Sequence, residues 1–141
     1  MATKLIHIDM IRRDVLFHFG DAHSLRKELR QYHKKETIDE IVENPPKAET
    51  NSGRTIYKSD PYVMIVWLPC VPTTIDMMDT LSHEIFHATV ALMNSIGASL
   101  SVESEETYAY LIGYLTKKVL EEFSISFCES GREPALEQHQ P

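Results

Sequence analysis

The sequence predicts an α+β fold, with a small antiparallel sheet packed on a long helix that carries a His-Glu-x-x-His motif and on a second long helix. Three observations lead there. Val15-Leu16-Phe17-His18-Phe19 and Tyr62-Val63-Met64-Ile65-Val66-Trp67-Leu68 are short, β-rich runs bounded by turn residues. The run from Thr74 to Ile96 closes at Gly97, as a helix of about 23 residues would. Ser101 or Ser104 then caps a second helix that continues to Phe123 or slightly past it.

The elements follow in order. Lys4 to Ile8 alternates weakly, and Val15 to Phe19 is closed by Gly20-Asp21, which gives one or two strands. From Ala22 to Lys35 the apolar positions Leu25, Leu29 and Tyr32 fall at i, i+4 and i+7, an amphipathic helix with one buried stripe. Thr37-Ile38-Asp39-Glu40 has capping-box spacing, so a short helix carrying Ile38, Ile41 and Val42 starts there and stops before Pro45-Pro46. Residues 44–54 (NPPKAETNSGR) form a loop within the domain. Thr55-Ile56-Tyr57 and Tyr62 to Leu68 read as two strands joined by Lys58-Ser59-Asp60-Pro61, the second too apolar to be exposed on both faces. Thr73 with Asp76 opens the first long helix. Residues 1–131 make a single domain, and the polar residues 132–141 a flexible tail.

Composition bounds the function. With 141 residues, 43% hydrophobic and 25% charged, the chain fits one globular domain. Its 14 basic and 21 acidic residues give a formal charge of −7, a poor surface for neutralising phosphates, so no nucleic-acid partner is expected. The charge is uneven: residues 1–58 hold 11 basic and 9 acidic residues, residues 59–141 hold 3 and 12. Cys70 and Cys128 lack CxxC or CxxH surroundings and read as packing residues in a reducing compartment. No apolar leader and no run of about 18 apolar residues occurs, so no membrane partner and a cytoplasmic location are expected.

The chemistry lies in the first long helix. In His83-Glu84-Ile85-Phe86-His87 the i, i+4 spacing puts both imidazoles on one helical face, able to share a zinc ion, with Glu84 beside it as general base toward a zinc-activated water. Met78, Leu81, Ile85, Ala88 and Leu92, with Phe86, Val90 and Met93, make the helix apolar on two sides and therefore buried. Two histidines and a glutamate on its remaining stripe would be costly unpaired, and a shared cation satisfies them.

A catalytic zinc takes three protein ligands and leaves a position for water, so a third should follow. Glu103, Glu105 and Glu106 are candidates at the start of the second long helix, and each is also explained by favourable charge at a helix N-terminus. His87 stands about 15 Å from the end of its helix and Glu106 about 6 Å into the next. The loop 97–101, which can reach about 16 Å, would absorb the difference.

The segment HEIFHATVALMNSIGASLSVESEETYAYLIGYLTKKV resembles the zincin metallopeptidase helix pair of the gluzincin kind. More closely, HE-x-x-HA followed by SEE-x-x-AYL-x-GYL is similar to small zincin-like proteins encoded by bacteriophages and prophages. The resemblance covers about 40 residues and implies a zincin-like minimal core, with zinc held by His83, His87 and Glu106 and Glu84 as base. Glu106 is preferred to Glu105 because Glu106-Thr107-Tyr108-Ala109-Tyr110 matches the family's glutamate-x-x-Ala-aromatic pattern. It also implies a sheet whose edge strand, matched here by Tyr62 to Leu68, lies along the cleft and pairs with a peptide or protein substrate. No motif supplies the downstream His or Tyr that larger gluzincins use for the oxyanion.

Tyr110 and Tyr114, four and eight residues after Glu106, are candidate oxyanion donors, with core packing the favoured role for Tyr114. Asp79, one turn before His83, serves either as acceptor for an imidazole N–H or as an N-terminal helix charge. His7, His18, His23, His33 and His139 lack ligand spacing. The expected function is a small zinc-dependent metallopeptidase. The alternatives are a non-catalytic, metal-stabilised binding or assembly protein of phage origin and, more remotely, half of a di-iron carboxylate site built on Glu84-x-x-His87.

Overall fold

Strands β1 (Ala2–Ile8) and β2 (Arg13–Phe19) form an antiparallel hairpin in this computed structural model, which describes residues 2–126; the expected tail 132–141, Cys128 and His139 lie outside the described residues. After β2 the chain passes through helices α1 (Ala22–Leu29) and α2 (Lys35–Val42) before a second antiparallel hairpin, β3 (Arg54–Ser59) and β4 (Tyr62–Leu68). β4 docks parallel to β2, with Leu16 opposite Ile65 and Phe19 opposite Leu68, and the strand order is β1-β2-β4-β3. Two long helices follow, α3 (Ile75–Ser95) and α4 (Glu105–Glu122). The fold is α+β, a mixed four-stranded sheet with four α-helices among the described residues.

Two expectations about the sheet are corrected. It is mixed rather than antiparallel: α1 and α2 return the chain to the end of the sheet where β2 finished, β3 then runs opposite to β2, and the β3–β4 hairpin turns β4 into the direction of β2. The run Tyr62 to Leu68 is also not the edge: β4 lies between β2 and β3, and β3 is the edge strand against which α3 packs. Burial explains the placement. Val63 through Leu68 are all buried, so both faces of β4 need cover, whereas β3 buries only Ile56.

Side-chain alternation splits the core in two. Val15, Phe17 and Phe19 of β2 and Met64, Val66 and Leu68 of β4 face α3 and α4, where Leu81, Ile85, Leu92, Leu111 and Leu115 complete the larger cluster. The intervening Leu16, Val63, Ile65 and Trp67 face Leu25 and Leu29 of α1 and Ile38 and Ile41 of α2. Helices therefore cover both faces of the sheet.

Helix ends follow local chemistry. Asp21 caps α1, its Oδ1 accepting from the Ser24 N–H at 2.8 Å. That helix stops at Leu29 instead of Lys35: Leu25 and Leu29 reach the core, while Tyr32 is exposed and a further turn would bury nothing. α2 begins at Lys35, two residues before Thr37, without a side-chain cap. Thr74, not Thr73, caps α3, its hydroxyl oxygen accepting from the Met77 N–H at 3.2 Å. Gly97, at φ 81°, ends α3 in a Schellman arrangement, with Gly97 N–H to Asn94 O and Ala98 N–H to Met93 O. Ser104 precedes α4 without a side-chain cap bond. Cys70, expected to pack, is exposed just after β4. No helix among the described residues is long and apolar enough to cross a membrane.

Candidate metal centre

α3 divides the His-Glu-x-x-His residues between two faces. Met77, Leu81, Ile85, Ala88 and Leu92 form its buried stripe, and Glu84, three residues after Leu81 and four before Ala88, shares that side. His83 and His87 stand together on the exposed side, beside a Phe86 that is 44% exposed. Of the second flank expected to be buried, Met93 is in the core and Val90 packs against it, while Phe86 is exposed beside the histidines.

The two imidazoles face each other. Their Nε2 atoms lie 3.0 Å apart, and the rings meet edge to face with centroids at 4.7 Å. Two ligands of a tetrahedral zinc, at bond lengths near 2.0–2.1 Å, are separated by about 3.3 Å, so small side-chain rotations would admit the ion. The spacing of the pair is close to that of two ligands of one ion. Glu106 is exposed in the first turn of α4, and among the described residues no group of three or more His, Cys, Asp or Glu side chains is arranged to hold one. The histidines are brought together; the expected third ligand is not brought to them.

Glu84 is 6% exposed, and a buried carboxylate needs a partner. Thr55, second residue of β3, supplies it: Oγ1 lies 2.6 Å from Glu84 Oε2 and 3.0 Å from the Glu84 carbonyl oxygen. The chain entering β3 is fastened one turn earlier too, where the Thr80 hydroxyl donates to Asn51 O at 2.5 Å. Between these bonds lies Gly53, where any Cβ would meet Glu84 Cγ at 2.6 Å. Asn51, Ser52 and Gly53 on one side and Asp79, Thr80, His83 and Glu84 on the other line a pocket of about 310 Å³. Glu84 and His83 thus open onto one space.

The chain matches no family model, no curated protein and no solved structure.

The other candidates lie elsewhere. Tyr110 is 72% exposed and lines a separate groove with Ile8, Asp9, Met10, Leu111 and Tyr114. Tyr114 is half-buried against the larger core and its hydroxyl donates to His7 O at 3.3 Å, in keeping with packing. Glu103 and Glu105 are exposed near the start of α4. His18 is a satisfied core residue, bonded to Thr3 Oγ1 at 2.6 Å and Ser24 Oγ at 2.9 Å. Sequence reasoning does not single out Gly53 or Thr55. A glycine at a strand's entry signals close backbone approach, but nothing in the sequence names what approaches it.

Proposed function

We propose that this protein is a zinc-dependent hydrolase of the metallopeptidase kind, with His83 and His87 as metal ligands, Glu106 as the third and Glu84 as general base. The observation that carries the reading is the exposed pair of Nε2 atoms 3.0 Å apart, with a buried carboxylate from the intervening turn opening onto the same pocket as His83. A zinc ion held by the pair would supply a Lewis acid that makes water nucleophilic near neutral pH and polarises a carbonyl oxygen. Glu84 would accept the water proton and return it to the leaving amine. β3, the edge strand beside α3, offers backbone groups with which an extended peptide could pair.

Elemental mass spectrometry on the wild type and on His87→Ala, Glu106→Ala and Glu105→Ala tests the ligand set. About one zinc per chain, lost in the first two variants and kept in the third, is expected. Hydrolysis of a quenched-fluorescent peptide library by the wild type, and none by Glu84→Gln, would complete the test. Zinc bound without turnover identifies a metal-stabilised binding or assembly protein instead, and no zinc binding at all removes both readings.

A further inference from the structure

We propose that Thr55 is a positioning residue for Glu84: its hydroxyl, presented from the edge strand, fixes the carboxylate at the pocket shared with His83. The role rests on the hydrolase reading above.

A glutamate side chain has three rotatable bonds, and a general base must hold one of its many rotamers within hydrogen-bonding reach of the proton it takes. Burial alone does not select that rotamer. Thr55 does so with a single hydroxyl proton, which the carboxylate Oε2 accepts at 2.6 Å and the Glu84 carbonyl oxygen, at 3.0 Å, at most shares. The 2.6 Å separation from Oε2 lies in the range of hydroxyl–carboxylate bonds, which are roughly twice as strong as neutral ones. Threonine is also stiff about χ1, so in a strand its hydroxyl direction is set by the backbone.

The backbone in turn is held in place. The bond from Thr80 to Asn51 O clamps the chain just before β3, and pairing of Thr55 with Val66 clamps it just after. Gly53 lies against the Glu84 stem, and the Cβ it lacks is the room that Cγ needs. Only Oε2 is engaged by Thr55; the other carboxylate oxygen has no protein partner among the described residues and stays free for a proton.

Two substitutions separate positioning from packing. Thr55→Val keeps the shape and removes the hydroxyl, whereas Thr55→Ser keeps the hydroxyl and removes a methyl group. In the metal-free protein, urea midpoints for Thr55→Val, Glu84→Ala and the double variant should be non-additive, the double variant losing little beyond the worse single one. On a peptide chosen from the library, zinc-loaded Thr55→Val should lose roughly 10-fold or more in kcat with KM and zinc content unchanged. Thr55→Ser should recover most of that loss. Additive urea midpoints overturn the proposal, as does a kcat in Thr55→Val equal to wild type or one that Thr55→Ser fails to restore. Wild type that binds zinc and cleaves nothing overturns the hydrolase reading, and the positioning role with it, even where the metal-free coupling is intact.

Discussion

Gly53 stands directly against Glu84: a Cβ on residue 53 would lie 2.6 Å from Glu84 Cγ and 3.0 Å from Thr80 Cγ2. The constraint is steric, since Gly97 is the glycine held at positive φ. Gly53→Ala must therefore move either the strand entry, which Thr80 and Thr55 hold, or the Glu84 stem. Overpacking of this kind costs about 1–3 kcal/mol. The expected result is a urea midpoint well below wild type, with most of the loss recovered when Glu84→Ala is added and the obstructing Cγ is gone. Equal midpoints for Gly53→Ala and wild type would show that the wall yields.

His83 and His87 meet in the folded chain, so a metal that binds both should stabilise the fold by mass action. At a free zinc concentration 100 times its Kd the gain is about 2.7 kcal/mol. A rise in the thermal midpoint on zinc addition is expected, reversed by a chelator and absent in both His83→Ala and His87→Ala. Glu106→Ala should shrink the rise if the first turn of α4 joins the site. A midpoint indifferent to zinc in wild type would remove the metal from the proposal.

What could be read from the sequence was local. The β-rich run Val15 to Phe19, a hairpin turn ahead of Tyr62, the glycine stop at Gly97 and the i, i+4 histidines all depend on neighbours within a few residues, and each is found in the fold, the turn narrowed to Asp60-Pro61 because Lys58 and Ser59 belong to β3. What could not be read depends on distant pairing. That β4 would lie inside the sheet, parallel to β2, follows from which faces α1 and α2 cover, and no short window of sequence records it. The same holds at the site. Glu84 and His83 are adjacent in sequence, but Thr55 reaches Glu84 across 29 residues, through a pairing of edge strand and helix that spacing rules do not describe.

Trp67 is fully buried on the face covered by α1 and α2, and its indole N–H donates to Gly20 O at 2.8 Å, tying β4 to the end of β2. Trp67→Phe would leave the buried Gly20 carbonyl unpaired and open a void. The two costs together come to about 2–4 kcal/mol. Circular dichroism in urea should report that loss, since the substitution removes the chain's one tryptophan and with it the fluorescence signal. A loss under about 1 kcal/mol would mean that α1 and α2 close over the smaller ring.

His18 makes stability depend on pH. Burial between β2 and α1 holds its imidazole below the usual histidine range, opposed in part by the bond to the Asp21 carbonyl. Above the ordinary value of 6.5 the ring is neutral folded or unfolded, and pH has no effect through it. As pH falls through 6.5 the unfolded chain takes up the proton first, so stability drops until the lower folded value is reached, and below that the penalty is constant. His33, also lowered by burial, acts in the same direction. Asp39, held low by Arg26, loses its contribution only in the acid range below its ordinary 3.8. Urea midpoints should thus be level above about pH 7 and decline below 6.5. His18→Gln should flatten part of that decline, leaving the share due to His33. Protonation would also set a second N–H against Thr3 and Ser24, whose hydroxyls can rotate to accept, so a wild-type profile that stays level down to about pH 5 would show that those two hydroxyls absorb the charge.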